Sequence, residues 1–175
     1  RAILEGRKTQ TRRVAKYNPF LGEPSEWCHR AKNQEPEFVR IAGDYRRFCP
    51  HGQPGDRLWL KEAWCQDGRD GTDAQGRDAV YYKADVPQGV WAGSWKSPMF
   101  MPRWASRITL ELVNVRVERV QSISRADVLA EGFERIENET WPWRQYMKLW
   151  ESIHGQGSWA ANQWVWVLEF KRVKP

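Results

Sequence analysis

The sequence predicts an α+β fold, a small β-barrel with flanking helices, and three observations carry this prediction. Several segments alternate apolar and polar residues, as half-buried strands do. Two short segments have the capping signals and apolar spacing of helices. One long irregular stretch, residues 14–54, separates the first predicted strand from the others. With 175 residues, the chain fits a single domain over 1–175.

The N-terminal segment combines a short apolar run with a cluster of cations. The apolar residues 2–4 favour a brief helical turn, and Gly6 follows where a left-handed C-cap would end it. Residues 8–13 are predicted to be extended, so that side chains two apart project to the same side. Lys8 and Thr11 are three apart and share a side only if the backbone turns or bulges between them.

Two insertions are predicted. Prolines and glycines break up residues 14–54, which we expect to drape over the domain. A turn at Gly55-Asp56 then leads into a predicted strand over 57–64. The second insertion spans residues 66–105.

Within the second insertion, residues 66–78 are rich in glycine and aspartate but lack the ligand order of a calcium loop. We expect a flexible hairpin tip there, followed by a short strand over 79–84. The stretch 86–105 contains three prolines and three tryptophans, which is too aromatic for a plain linker. It is predicted to pack as a lid or to line a pocket.

The C-terminal half contains the longest predicted strand, 107–120, whose apolar phase shifts between Leu112 and Val113. The strongest strand signal is the closing run 163–173. Between them lie two predicted helices. The first begins at Ser124 with Asp127 three residues on, and continues through Glu131 to a stop at Gly132. The second covers about 141–153 and places Trp143, Met147 and Trp150 on one face.

Composition favours a polyanionic partner. The chain has 28 Lys and Arg against 22 Asp and Glu, a net charge of +6. Twelve tryptophans suit stacking on bases, although most are expected to pack in the core or at its rim. No apolar stretch is long enough to cross a bilayer and no secretory signal is visible, so we expect no membrane partner. Three irregularly spaced cysteines argue against a disulfide framework and favour a reducing, cytoplasmic compartment.

Several common sites are disfavoured. A zinc site would need irregularly spaced ligands without a CxxC pair, so we expect no metal and interpret the cysteines as thiols. The candidate ligands would be Cys28, His29, Cys49, His51 and Cys65. Neither a GxSxG nor a GxxxxGK[ST] string is present, which weakens serine acyl-hydrolase and nucleoside triphosphatase interpretations.

Three residues form a candidate catalytic set: Lys8, Thr11 and Glu131. A lysine partly desolvated among other cations releases its proton more readily, so Lys8 can act as a base toward a hydroxyl or water. Thr11 supplies either a nucleophilic hydroxyl or a group that positions water. Glu131 ends a predicted helix, where the negative end of the helix dipole favours the protonated acid. The alternative is a surface ion pair between Glu131 and an arginine, which spacing alone favours.

Four short motifs stand out as an ordered set that reaches both ends of the chain. They are the string from Ile3 to Arg13, the Gly55-Asp56 turn into a strand, the helix end Ala130-Glu131-Gly132, and the closing Trp166-Val167-Leu168-Glu169-Phe170. Together they resemble the ASCH domain family, a branch of the PUA-like fold. More narrowly, the chain resembles the larger ASCH proteins often found among phage and prophage genes.

The resemblance implies a small β-barrel with flanking helices around a cleft that binds RNA or modified nucleosides. Some small members of the family are amidohydrolases that remove the acetyl group from N4-acetylcytidine with a lysine, a threonine and a glutamate. These three residues fall on Lys8, Thr11 and Glu131. Other members are ribonucleases. A ribonuclease and a non-catalytic RNA- or DNA-binding module are therefore the alternatives to an amidohydrolase.

Further residues are predicted to contact a nucleotide, and no cofactor is expected. Adjacent arginines favour a phosphate-bearing nucleotide or a polynucleotide over a free nucleoside. Exposed tryptophans offer surfaces on which bases stack. The predicted set comprises Arg7, Thr9, Arg12 and Arg13 for phosphate or ribose, and Trp59, Trp64 and Trp104 for stacking.

Overall fold

The computed structural model describes residues 1–15, 49–72, 76–87, 94–134 and 143–173 of the chain. These residues form six strands, two α-helices and three short 3-10 turns. The strands are β1 (Gln10–Val14), β2 (Arg57–Trp59), β3 (Trp64–Thr72), β4 (Asp78–Tyr82), β5 (Thr109–Arg119) and β6 (Trp164–Val173). The helices are α1 (Arg125–Ala130) and α2 (Trp143–His154), and the 3-10 turns are Pro98–Phe100, Arg103–Ala105 and Val120–Ser122.

The larger sheet is antiparallel and curled, with the strand order β1-β6-β5-β2. β1 pairs with β6 in an unbroken register, from Gln10 opposite Glu169 to Val14 opposite Val165. The pairing extends beyond β1, because the Phe170 N–H donates to the Thr9 carbonyl at 2.8 Å. This confirms the α+β class and is compatible with a small β-barrel, while the PUA-like assignment stays a prediction.

The chain divides into two compact units. The sheet unit comprises Ala2–Asp56 and Glu111–Lys171. The hairpin unit comprises Arg1, Arg57–Leu110 and Arg172–Pro175. The predicted insertion 14–54 lies mostly outside the described residues, as do Trp91, Cys28, His29 and the predicted first turn of the second helix.

The core of the sheet unit forms from β6, α1, α2 and the turn that follows β5. β6 has four consecutive buried residues, Val165–Leu168, as a strand covered on both faces requires. The buried cluster contains Val120, Ile123, Val128, Tyr146, Trp150, Val165 and Val167. On α2, Trp150 is buried and Trp143 is half-buried, as the helical spacing predicts. Tyr146, which was not among the predicted apolar positions, is buried as well.

The hairpin unit is built on the two-stranded antiparallel sheet of β3 and β4. Trp64, Met101 and Ala105 form its buried cluster, and the Tyr82 hydroxyl donates to the Ala105 carbonyl at 2.8 Å. Arg107 lies 3.8 Å from the centre of the Tyr82 ring. This arginine also donates to the Glu62 carboxylate at 3.0 Å.

Two predicted elements have different bounds in the structure. The strand predicted over 57–64 stops at Trp59, and β3 begins only at Trp64, where the chain forms a bridge with Lys96. The predicted flexible tip over 66–78 is largely strand, because β3 continues to Thr72 and β4 starts at Asp78. The pairing of β3 with β4 is irregular between Asp67 and Thr72, where glycine and aspartate are frequent.

The predicted helix at 124–131 is confirmed by its caps. The Ser124 hydroxyl accepts from the Asp127 N–H at 3.1 Å, and the Asp127 carboxylate accepts from the Ser124 N–H at 3.1 Å, which completes a capping box. Glu131 is the C-cap residue and Gly132 follows with a φ of 95°. The strand predicted over 107–120 corresponds to β5, the longest strand of the described chain.

Candidate functional site

The candidate site lies within the sheet unit, where the segment before β1 meets the end of α1. A turn over residues 2–6 leads into this segment. The Gly6 N–H donates to the Ile3 carbonyl and the Arg7 N–H donates to the Ala2 carbonyl, a Schellman pattern around a glycine with a φ of 75°. The predicted left-handed cap at Gly6 is therefore confirmed, and it directs the chain toward α1.

The backbone at Lys8 packs directly against the end of α1. Lys8 and Glu131 form an isolated antiparallel bridge, and the Thr9 N–H donates to the Ala130 carbonyl at 2.8 Å. A Cβ added at Gly132 would lie 3.0 Å from the Cβ of Lys8 and 3.2 Å from that of Ala2. Glycine at this position thus provides both the left-handed backbone and the close approach.

The side chains of Lys8 and Glu131 form an ion pair. The Lys8 Nζ donates to Oε2 of Glu131 at 2.8 Å and to the Glu131 backbone carbonyl at 3.0 Å. The Glu131 side chain is 4% exposed, whereas that of Lys8 is 27% exposed. The Glu131 carboxylate is therefore shielded from solvent, whereas the Lys8 ammonium is accessible to solvent.

Arg12 holds the other oxygen of Glu131. Its side chain is 0% exposed, and its Nη1 donates to Oε1 of Glu131 at 3.3 Å. It also bonds the Glu118 carboxylate, with a 3.1 Å contact from Nε, and lies 3.3 Å from the Asp127 carboxylate. The Tyr146 ring centre lies 5.8 Å from the guanidinium carbon. Arg12 is thus a buried cation surrounded by carboxylates.

Arg116 on β5 extends this arrangement. It donates to Asp127 at 2.7 Å, lies 3.4 Å from a Glu118 oxygen, and pairs with Glu169 of β6. We call the whole set the charge cluster. It contains three cations, Lys8, Arg12 and Arg116, and four carboxylates, Glu118, Asp127, Glu131 and Glu169.

Two groups in or beside the charge cluster have displaced pKa values. Burial by itself raises the pKa of Asp127, but hydrogen bonds from Ser124 and the charge of Arg12 outweigh it and hold the pKa at about 2. Asp127 is therefore ionised over the whole neutral and mildly acidic range. Burial raises the pKa of Tyr146, so its hydroxyl stays protonated.

The structure brings together two of the three predicted catalytic residues. β1 is regular and has no bulge, so Thr11 and Arg12 project to opposite faces of the strand. Arg12 lies on the side of the charge cluster with Glu131, which places Thr11 on the other face. Lys8 and Thr11 would share a side only if the backbone turned or bulged between them, and the strand is regular.

The predicted phosphate contacts differ in their surroundings. Arg12 departs from the expectation: its guanidinium is fully buried and bonded to carboxylates, so it is not open to a phosphate. Arg7 is exposed, but it bonds Glu5 and donates to the Gly132 carbonyl at 3.0 Å. Thr9 and Arg13 are exposed. Burial, and after it the charge of Arg13, lowers the pKa of His51.

The three predicted stacking residues all belong to the hairpin unit. Trp64 is buried, Trp59 is half-buried and Trp104 is exposed. The rings of Trp64 and Trp104 meet edge to face with their centres 6.3 Å apart. Of these three, Trp104 is the most exposed, and the Arg77 guanidinium carbon lies 4.5 Å from its ring centre.

Sequence reasoning missed Arg116 and Glu118 and gave Asp127 only a capping role. Arg116 and Glu118 could have been recognised from the sequence as neighbours, because residues two apart on a strand share a face. Charged residues at 116 and 118 therefore mark one face of β5. Their partners on β1, α1 and β6 are distant in sequence, and no spacing rule connects them.

Neither the family models nor the curated proteins nor the solved structures that were compared with this chain match it. Within the described residues, no helix has the length and apolar character to span a membrane. The same residues contain no group of three or more histidine, cysteine or acidic side chains suited to a metal ion. Cys49 and Cys65 are buried thiols.

Replacing Gly132 with alanine tests the close approach at the site. We expect Gly132→Ala to lower the free energy of unfolding by more than Gly155→Ala, measured by urea denaturation. Both glycines have nearly the same left-handed φ, 95° and 94°, but only Gly132 has neighbours within 4 Å. Backbone strain costs about 1–2 kcal/mol in each, and only Gly132→Ala adds a clash with Lys8. Equal losses in the two variants would contradict this account.

The low pKa of Asp127 predicts an acid-sensitive contribution to stability. The folded pKa lies below the ordinary value of about 3.9 for an aspartate. The stabilisation is therefore present above about pH 4 and is lost as the pH falls toward 2. Its size is about 2 kcal/mol. Urea denaturation at several pH values should show that Asp127→Asn is less stable than the parent protein at neutral pH, and that the difference shrinks toward pH 2.

The matched control for this measurement is Ser124→Ala. It removes the helix cap, at about 1 kcal/mol, together with the hydrogen bond from the Ser124 hydroxyl to the Asp127 carboxylate, but the carboxylate keeps its arginines and the Ser124 N–H. This variant should retain a fall in stability with acid. Parallel pH curves for the parent and for Asp127→Asn would show that the carboxylate is not the group that titrates.

Proposed function

We propose that this protein is an ASCH-like hydrolase that acts on an amide of a modified nucleobase, with N4-acetylcytidine as the model substrate. Two lines of reasoning support the proposal. The four ordered sequence motifs resemble that family, and the lysine and glutamate to which the resemblance assigns catalysis lie in contact. The observation that carries the proposal is the 2.8 Å contact between the Lys8 Nζ and Oε2 of Glu131.

The pair has the properties of a proton-transfer device. The partly exposed amine of Lys8 can meet a substrate, while the buried carboxyl of Glu131 is held in place by Arg12 and by the backbone bridge. Fixed positions matter because proton transfer requires heavy atoms within hydrogen-bonding reach. A flexible surface ion pair lacks this fixed geometry.

In the proposed reaction, a proton first passes from the Lys8 ammonium to the Glu131 carboxylate across their contact. The neutral amine of Lys8 then takes a proton from a water molecule as the water oxygen attacks the acetyl carbonyl carbon. The bond between that carbon and the N4 nitrogen then breaks, and Glu131 gives its proton to the leaving amine. The products are acetate and the unmodified base. Lys8 is then an ammonium and Glu131 a carboxylate, so the ion pair of the resting protein is restored.

We assign the nucleophile to water because Thr11 projects to the other face of β1. Thr9, just before this strand, and Arg13 within it are exposed, but by the same alternation they lie on the face of Thr11, so we assign them no contact in this reaction. Arg12 acts through Glu131 and is a positioning residue. Neither a metal nor a cofactor enters the proposed steps.

The decisive variants are Lys8→Ala and Lys8→Arg. Arginine keeps a positive charge beside Glu131, but it does not release its proton near neutral pH. We therefore expect both variants to lose deacetylation of N4-acetylcytidine by about 100-fold or more, followed as acetate release and by mass. Lys8→Arg should retain the thermal stability of the parent protein. A loss of turnover in this variant is then a loss of proton transfer and not of folding.

A parallel incubation with total RNA separates the alternatives. Unchanged turnover in Lys8→Arg would eliminate the proposed base, and absence of acetate release by the parent protein would eliminate the amidohydrolase. Cleaved RNA on a gel would favour a ribonuclease instead. Salt-sensitive RNA binding that yields no product, and that weakens in Arg13→Ala, would favour a binding module.

A further inference from the structure

Aromatic and cationic side chains alternate over one surface of the hairpin unit. We call it the aromatic-cation surface, and it comprises Trp59, Lys61, Lys96, Phe100, Arg103 and Trp104. The Lys61 Nζ lies 5.0 Å from the centre of the Trp59 ring, and the Arg103 guanidinium carbon lies 5.8 Å from it. The Lys96 Nζ lies 4.8 Å from the ring centre of Trp64, which in turn contacts Trp104. These contacts form one group around Trp59 and one around Trp64, which the adjacent residues Arg103 and Trp104 connect. Phe100 lies in the 3-10 turn whose Met99 carbonyl accepts from Lys61.

Two 3-10 turns hold large apolar side chains away from the core. Phe100 is 73% exposed, Met99 is 72% exposed and Trp104 is 43% exposed. The backbone of both turns is anchored, because Met101, which follows Phe100, and Ala105, which follows Trp104, are buried in the hairpin-unit cluster. The Lys61 Nζ also donates to the Met99 carbonyl at 2.8 Å. Water therefore meets three large apolar side chains on an ordered backbone, an arrangement that favours a binding surface.

The cations of this surface are Lys61, Lys96 and Arg103. Within the described residues, Lys61, Lys96 and Arg103 make no ion pair with a carboxylate. The carboxylates Glu62 and Asp85 of the same unit pair with Arg107 instead. Positive charge beside exposed rings favours a polyanion, and it disfavours an apolar protein partner that would have to desolvate it.

We propose that the aromatic-cation surface binds single-stranded RNA, with unpaired bases stacked on Phe100 and against the exposed part of Trp104, whose ring also carries the Arg77 guanidinium at 4.5 Å. The phosphates between these bases lie beside Lys61, Lys96 and Arg103. A single strand is required because paired bases do not offer their faces to a protruding ring. The choice of RNA over DNA rests on the proposed function, in which the substrate is a base of RNA.

The test is fluorescence anisotropy with a labelled, unstructured RNA of about 12 nucleotides, the length scale of single-strand sites. We expect Phe100→Ala to weaken binding about tenfold, the loss typical of one stacked base, and Phe100→Trp to restore it. Arg103→Ala should also weaken binding and should reduce the slope of log affinity against log salt by about 0.7. Matched controls in the sheet unit are Ile153→Ala and Lys148→Ala, an exposed apolar residue and an exposed cation.

Several outcomes would overturn the proposal. They are RNA affinity unchanged in Phe100→Ala, equal losses in the control variants, equal or tighter binding of DNA with the same sequence, and no binding at low salt. Self-association that Phe100→Ala abolishes, in a protein that does not bind RNA, would assign the surface to a second copy of the chain. Lys8→Arg separates the two proposals, because it should lose deacetylation and keep its affinity for the RNA.

Discussion

The buried guanidinium of Arg12 is the constraint on which the rest of the sheet unit depends. A cation without solvent is unfavourable unless acidic groups pair with it, and here three carboxylates do so. They come from β5, from the first turn of α1 and from its C-cap. Each element must therefore keep its position relative to β1, whose pairing with β6 fixes where Arg12 lies.

Lys8 differs from Arg12 in the same cluster because its side chain is partly exposed. It lies four residues before Arg12 along the extended chain and is partly exposed to solvent. Both side chains donate hydrogen bonds to the Glu131 carboxylate. The buried arginine fixes the carboxylate, and the exposed lysine is left to meet a ligand. A stable pair with one accessible member is the physical basis of the proposed hydrolase.

The two units offer different surfaces to a nucleic acid. In the sheet unit the cations and carboxylates of the charge cluster largely neutralise one another. This arrangement suits a reaction on a small group better than the binding of phosphates. In the hairpin unit Lys61, Lys96 and Arg103 accompany exposed rings. The proposals therefore place base chemistry in one unit and strand binding in the other, and each can be tested by itself.

The sequence predicts local features of this structure well and distant partnerships poorly. The capping box at Ser124 and the left-handed glycines at Gly6 and Gly132 follow from short-range rules and were predicted. The meeting of Lys8 with Glu131 was inferred from residue chemistry and from the family resemblance. The burial of Arg12 was not predicted, because adjacent arginines normally indicate a solvated surface. Its pairing with carboxylates distant in sequence, such as that of Glu118 106 residues away, explains it.

The most direct test of the central claim is a double-mutant cycle between Arg12 and Glu118, measured by urea denaturation. We expect Arg12→Met to lower the free energy of unfolding by about 3–5 kcal/mol, because it leaves buried carboxylates unpaired. Glu118→Met should compensate in part, so that the double variant loses at least about 1 kcal/mol less than the sum of the single losses. Losses that add to within about 0.5 kcal/mol would contradict the claim that this buried pair organises the sheet unit.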